Sequence, residues 1–154
     1  MRKEKSCGAI IYYNNKYLII KQCKGHYSFP KGHVESDEYE EETALREIKE
    51  ETNLDVRLDT NFRYVSSYSP KKDVFKDVVF FLGYPLTFDL KVQEEEVIEA
   101  DFYDYTNAYY LLTYDRDREI LSYAKDYIEK NSIKIIKIIK AICQFKFFFH
   151  IFWK

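Results

Sequence analysis

The sequence predicts an α+β sandwich built on a mixed β-sheet. Strand-like runs recur from 7 to 104, one helical stretch interrupts them at 37–52, and two helical stretches follow at 106–112 and 115–130. CGAIIYY (7–13) and YLIIKQC (17–23) are rich in β-formers and flank Asn14-Asn15-Lys16, a hairpin signal because Asn tolerates positive φ. Residues 24–37 hold two of the four glycines and one of the three prolines, so they read as a loop. From Asp37 to about Thr52 the period turns helical. Ala44, Leu45 and Ile48 form its apolar stripe, with Asp37 and Glu40 as a capping pair. Residues 55–68 and 74–84 read as strands joined by the turn Ser69-Pro70-Lys71-Lys72, and 97–104 as a further strand. Of the two closing helices, the second carries Ile120, Leu121, Ala124, Tyr127 and Ile128 on one face.

At 154 residues, the chain accommodates one domain with a substantial core. An apolar content of 46% with 32% charged residues excludes a disordered tail, and a net charge of −2 gives no reason to expect a nucleic-acid backbone as partner. Cys7, Cys23 and Cys143 have no C-x-x-C spacing and no partnered His cluster, which argues against a disulfide scaffold or a zinc site. MRKEKSCGAIIYY lacks the uninterrupted apolar core of a signal peptide, so a cytoplasmic setting is expected.

The chemistry concentrates in GHVESDEYEEETALREIKEETNL, from Gly32 to Leu54. Glu47 and Glu51 are i,i+4 neighbours on the helix, and Glu47 and Glu50 are i,i+3 neighbours, so the three side chains can converge. Like charges at that spacing destabilise a bare helix by a few tenths of a kcal/mol per pair, so something positive should offset them. Oxygen-only donors suit a hard cation, Mg²⁺ or Mn²⁺, and not zinc. Arg46 points about a quarter turn away from Glu47, where it orients a carboxylate from outside the metal site. Glu40, Glu41 and Glu42 read as a solvated face.

Gly32, Glu38, Arg46, Glu47, Ile48, Glu50, Glu51 and Leu54 fall at the spacing G-x5-E-x7-R-E-U-x-E-E-x-G-U, with U a bulky aliphatic. This resembles the box of the Nudix hydrolases. The one departure is Asn53 in place of Gly, and Asn is the next-best residue for a left-handed helix C-terminus. FPKGHVE (29–35), the CGAII opening and VIEADFYDY (97–105) are similar to the asymmetrical bis(5′-nucleosyl)-tetraphosphatases within that family, over roughly residues 5–130. The resemblance implies a Nudix-type α/β/α sandwich over 1–131 and Mg²⁺-dependent cleavage of a pyrophosphate linkage. Diadenosine tetraphosphate, giving ATP and AMP, is the substrate it points to.

Carried over by that resemblance, Glu47, Glu50, Glu51 and Glu96, with the Gly32 carbonyl, would hold the metal. Glu50, Glu51, Glu96 and Arg46 would serve catalysis, with Glu95 the alternative register for Glu96. His26, Lys31 and Lys76 would contact the phosphate chain; Phe80 and Tyr114 would stack on a base; His33 would shape the loop. Two alternatives accompany this reading: a Nudix hydrolase acting on an RNA 5′ end, another nucleoside diphosphate derivative or a diphosphoinositol, and a Nudix-fold module that binds nucleotide without hydrolysing it. The last stretch, SIKIIKIIKAICQFKFFFHIFWK (132–154), lies outside the resemblance and has no uncharged run long enough for an ordinary membrane span. It reads as a helix that packs on the domain or as a low-complexity extension, and its role is unassigned. Contact with a membrane surface is weighed against the three-residue lysine spacing, which drifts around a helix.

Overall fold

The computed structural model describes the backbone of residues 2–152 and the side chains of residues 2–140, so Cys143 and the phenylalanine-rich stretch after it lie outside the described side chains. The elements run β1 (Arg2–Tyr13), β2 (Lys16–Gln22), β3 (Tyr27–Ser28), β4 (Lys31–His33), α1 (Glu40–Thr52), β5 (Val56–Lys71), β6 (Val74–Pro85), β7 (Val97–Asp104), α2 (Tyr105–Leu111) and α3 (Asp115–Phe152). The sheet orders as β3-β2-β1-β6-β5, with β4 paired to β1 and β7 to β2. It is mixed because β1 runs parallel to β6, Ser6 opposite Val78 and Ile11 opposite Gly83, while the other pairings are antiparallel.

Both faces of this sheet are covered, so residues 6–11 of β1 are buried without alternation. The strand's period of two divides them between two cores. Ile10, Ile19, Phe80 and Leu82 meet Ile120, Leu121 and Ala124 of α3 on one side. Ala9, Ile11, Leu18 and Phe81 meet Ala44 and Ile48 of α1 on the other. Helix, sheet and helix therefore form three layers, the α/β/α arrangement expected.

The hairpin at Asn14-Asn15 has both residues at positive φ, 48° and 60°. Several local expectations need correction. The 24–37 loop contains the short strands β3 and β4. Strand β5 runs past Pro70, which falls in a stretch where the pairing with β6 shifts register between Tyr68 and Lys71, so the missing N–H breaks no regular ladder. The turn comes later, with Asp73 at φ 61°. Helix α1 starts at Glu40, its Tyr39 N–H capped by the Glu42 carboxylate at 2.9 Å rather than by an Asp37–Glu40 pair. Asp37 instead sits at φ 74°, and Glu40 is ion-paired to Lys5 and to Arg63 (2.7 Å). Leu45 is 40% exposed, so the apolar stripe of α1 narrows to Ala44 and Ile48. Asn53 ends the helix at φ 62°, its N–H bonded to the Lys49 carbonyl at 2.9 Å, as its place in the motif requires. Finally, α3 does not stop near 130: no Gly or Pro interrupts the chain there, and the helix continues.

Candidate active site

Helix α1 presents its glutamates in two settings. Glu47 and Glu51 lie beside Thr43, Ala44 and Ile48 on the buried side, with Glu47 8% and Glu51 2% exposed. Glu50, a turn-third away, keeps half its side chain in solvent. Strand β4 runs directly across this face. The Lys31 N–H donates to Glu51 Oε2 at 2.8 Å, and a Cβ at Gly32 would overlap the Glu47 carboxyl. Only glycine admits that approach.

Arg46 holds the wall in place. Its Nε and Nη2 donate to the two oxygens of Glu38 at 2.6 and 3.0 Å, and Nη2 also donates to the His33 carbonyl at 2.9 Å. Its Nη1 reaches Glu47 at 2.9 Å and Glu50 at 3.1 Å. The guanidinium, helped by the Thr43 hydroxyl, holds the Glu38 carboxyl down at about 2. Burial has the opposite effect on α1: it raises Glu47 against the pull of Arg46, and it pushes Glu51 up to about 8 against Lys31.

These groups open onto one cavity of about 580 Å³. Its walls bring together Lys31, Gly32, Arg46, Glu47, Glu50, Glu51, Lys76 and Glu96, with Ser6, His33, Glu35 and Glu95 among the others. Both candidates in the 94–96 run thus face the cavity, and it is the charge of Glu96 that contributes to raising Glu47 and Glu51. Lys76 enters from β6 half-buried, its ammonium pushed down by burial and then by Lys31. The Ser6 hydroxyl on the cavity wall is buried with no hydrogen-bond partner among the described residues.

Among the described residues, no three carboxylate, imidazole or thiol groups are gathered into a formed metal cage. Like charges keep the glutamates apart, and Arg46 draws Glu47 and Glu50 to itself. The donor set still fits a hard divalent cation. It is all oxygen, it is anionic, and buried negative charge raises its two inner members, which a cation would relieve.

His26 and Tyr114 stand together outside the cavity lining. The Tyr114 hydroxyl is 3.2 Å from His26 Nδ1, and the rings are 5.3 Å apart. The 113–114 turn is pinned to β3 by the bonds Thr113 N–H to Tyr27 O (3.1 Å) and Tyr27 N–H to Thr113 Oγ1 (2.8 Å). Phe80 does not join them. It is 2% exposed in the core with its ring edge-on to Phe29 at 5.8 Å, so it offers no free face to a ligand, and the stacking surface expected of it is corrected.

Three residues not singled out from the sequence lie beside Tyr114. The Arg116 guanidinium is stacked between Tyr68 and Tyr114, 3.9 and 4.2 Å from the two ring centres. Asp117, 4% exposed and raised by burial, is 3.8 Å from Arg116. Lys31 acts electrostatically on both Asp117 and Glu51, and Arg116 on Lys76, which ties this aromatic group to the cavity. In sequence Tyr68 follows the end of the carboxylate motif, Leu54, by 14 positions and Arg116 follows it by 62; β5 and the first turn of α3 bring the two together.

Residues 3–124 match the family model described as the NUDIX domain. The chain is 29% identical over 111 residues to the asymmetrical bis(5′-nucleosyl)-tetraphosphatase of Rattus norvegicus, covering 62% of this chain and 75% of that one. It is 34% identical over 122 residues to the ADP-ribose pyrophosphatase of Methanocaldococcus jannaschii, covering 75% and 70%. Among solved structures, a binary complex of the C. elegans Ap4A hydrolase superposes with a TM-score of 0.76 at 22% identity, over 82% of this chain and 98% of that one.

Proposed function

The chain belongs to the Nudix hydrolases, and on that premise we propose that it is a Mg²⁺-dependent pyrophosphohydrolase of dinucleoside polyphosphates, splitting diadenosine tetraphosphate with water into ATP and AMP in the cytoplasm. The observation that carries this reading is the cavity's polarity. A wall of glutamates from α1 faces Lys31 and Lys76, and a pair of tyrosines holding a planar cation lies next to it.

In this reading Glu47, Glu50, Glu51 and Glu96, with the Gly32 carbonyl, would hold Mg²⁺, or Mn²⁺ in its place. When bound, the cation neutralises charge on the phosphate oxygens and acidifies water. The chain's own residues do the rest. Lys31 and Lys76 bind the phosphate chain from the opposite side and orient it for in-line attack at one phosphorus. The glutamate cluster accepts the proton of the attacking water, with Glu51 its most buried member. Arg46 keeps Glu47 and Glu50 turned toward the cavity. Tyr68 and Tyr114 form a slot in which a purine takes the place of the Arg116 guanidinium, with His26 at its edge. The hydrolase unit is residues 1–131.

A second reading has a specific observation behind it: the relative at 34% identity is named for ADP-ribose, not for a dinucleoside. ADP-ribose carries one adenine and two phosphates, and would use the same slot and cations. The test is a product assay with Mg²⁺ on diadenosine tetraphosphate, other dinucleoside polyphosphates, ADP-ribose, capped RNA and diphosphoinositol. Preferential release of ATP and AMP supports the proposal. Higher kcat/KM for ADP-ribose, with AMP and ribose 5-phosphate as products, favours the second reading. Nucleotide binding without turnover on any of them would make the protein a binding module.

A further inference from the structure

The hydroxyl of Ser6 is buried and has no hydrogen-bond partner among the described residues. The residue is 1% exposed, so bulk solvent does not serve it, yet it lines the same cavity as the glutamate wall and the two lysines. A hydroxyl buried without a partner weakens a fold, and alanine would fill nearly the same space without that penalty. What can satisfy it is a ligand that enters the cavity.

The strand register indicates the chemistry of that ligand. Residues paired across a ladder share a face of the sheet, and so do residues two apart along a strand. Ser6 is paired with His33 and Val78; Lys31 is paired with Gly8, two residues on, and Lys76 with Glu4, two residues back. Ser6, Lys31 and Lys76 therefore stand on one face, the face that Ile10, Val78 and Phe80 bury toward α3. Along β1, Ser6 is midway between the rows of the two lysines, about 7 Å from each. On one side, a Cβ at Gly8 would overlap the Lys31 stem, so that stem lies over the strand. On the other, Lys76 is near enough for the charge of Lys31 to act on it. Cys7, the next residue, takes the opposite face with Ala44 and Ile48 of α1. Ser6 thus sides with the cations. Neither ammonium offers an acceptor for the hydroxyl proton, and the carboxylate two residues back, Glu4, is ion-paired to Arg2 at 2.7 Å.

We infer that Ser6 is a phosphate-binding residue, its Oγ–H donating to a non-bridging oxygen of the polyphosphate between the oxygens held by Lys31 and Lys76. The inference rests on the proposed pyrophosphohydrolase reading and deepens it. The lysines are long and mobile, and they attract any anion. A short hydroxyl on a strand paired on both sides is fixed, so it sets where along the chain a phosphate comes to rest. Binding gives the hydroxyl the charged acceptor that the free protein withholds, and the same group that weakens the empty fold strengthens the complex.

One substitution separates stability from binding. Ser6→Ala should have a Tm in chelator equal to the parent's or above it, because an unsatisfied group has gone. Its Kd for inorganic tripolyphosphate with Mg²⁺, measured by titration calorimetry, should rise by about tenfold, the loss of one hydrogen bond to a charged group. KM for diadenosine tetraphosphate should rise with it, while kcat changes less. Unchanged tripolyphosphate affinity would overturn the inference, as would a parent that does not bind tripolyphosphate. A lowered Tm would overturn it too, since the hydroxyl would then have a partner in the free protein. The hydrolase reading fails separately: a parent that hydrolyses nothing on the substrate panel, yet binds tripolyphosphate tenfold more tightly than Ser6→Ala, would refute that reading and support this one.

Discussion

Glu51 combines two properties that conflict in a bare protein: it is 2% exposed, and the role proposed for it requires an anion. Its single described hydrogen bond is from the Lys31 N–H. Glu51→Gln keeps the shape and removes the charge, so the fold should persist with an unchanged circular dichroism spectrum. Turnover should fall by roughly 10²–10⁴-fold. Near-normal kcat would place the reacting water elsewhere. Tyr114→Ala should raise KM for an adenine-containing substrate by about tenfold, one base-stacking contact of 1–3 kcal/mol, while kcat changes less. An unchanged KM removes Tyr114 from the base slot. At this scale the motif's glutamates and Arg46 were legible, because a fixed spacing on one helix determines which side chains share a face. Tyr68, Arg116 and Asp117 were not, since nothing local distinguishes a strand tyrosine or a helix-start Arg-Asp pair from surface residues. Phe80 was misread for a related reason. VVFFL is apolar at every position because both sheet faces are covered, so the pattern cannot tell which phenylalanine faces a core and which a pocket.

Helix α1 and its flanks behave as one device. Asn53 terminates the helix in the left-handed region, where an L side chain other than Asn costs about 1–2 kcal/mol. Asn53→Ala should therefore lower stability to urea by about 1 kcal/mol more than Asn53→Gly, since both lose the bond from Asn53 Nδ2 to the Asp89 carbonyl (2.9 Å) and only alanine strains the cap. An alanine variant as stable as the parent would mean that the cap is not held in this conformation. On the other side, Gly32→Ala puts a methyl group where the Glu47 carboxyl lies. The concentration of Mg²⁺ giving half-maximal activity should rise with little loss of Tm; an unchanged Mg²⁺ requirement would show that Glu47 can move without consequence. Periodicity located these elements well, and misplaced their ends where a tertiary partner decides: Glu40 left the solvated face for Lys5 and Arg63, and α3 ran on because nothing in its sequence breaks it.

For the molecule as a whole, the raised pKa of Glu51 links folding to pH. Between the ordinary glutamate value of 4.5 and about 8, the folded state holds a proton that the unfolded state has released, so stability falls as pH rises through that window. With chelator present, Tm should drop from pH 5 to pH 8, and Glu51→Gln should flatten the slope. Mg²⁺ should raise Tm more at pH 8 than at pH 5, because binding must displace that proton. A chelated protein whose Tm is flat across the window would contradict the burial-raised value. The layer order was readable from the alternation of strand and helix patterns, whereas the neighbour relations within the sheet were not. No local signal says that β1 pairs in parallel with β6, Ser6 against Val78, across everything between them. That pairing has a cost in time. A ribosome releases β1 long before β6, so AIIYY must wait without its central neighbour while β2 to β5 emerge. The interval is when a nascent chain of this topology is most exposed to aggregation and most dependent on chaperones. The glutamate wall, which leans on the same strands, is assembled only when it ends.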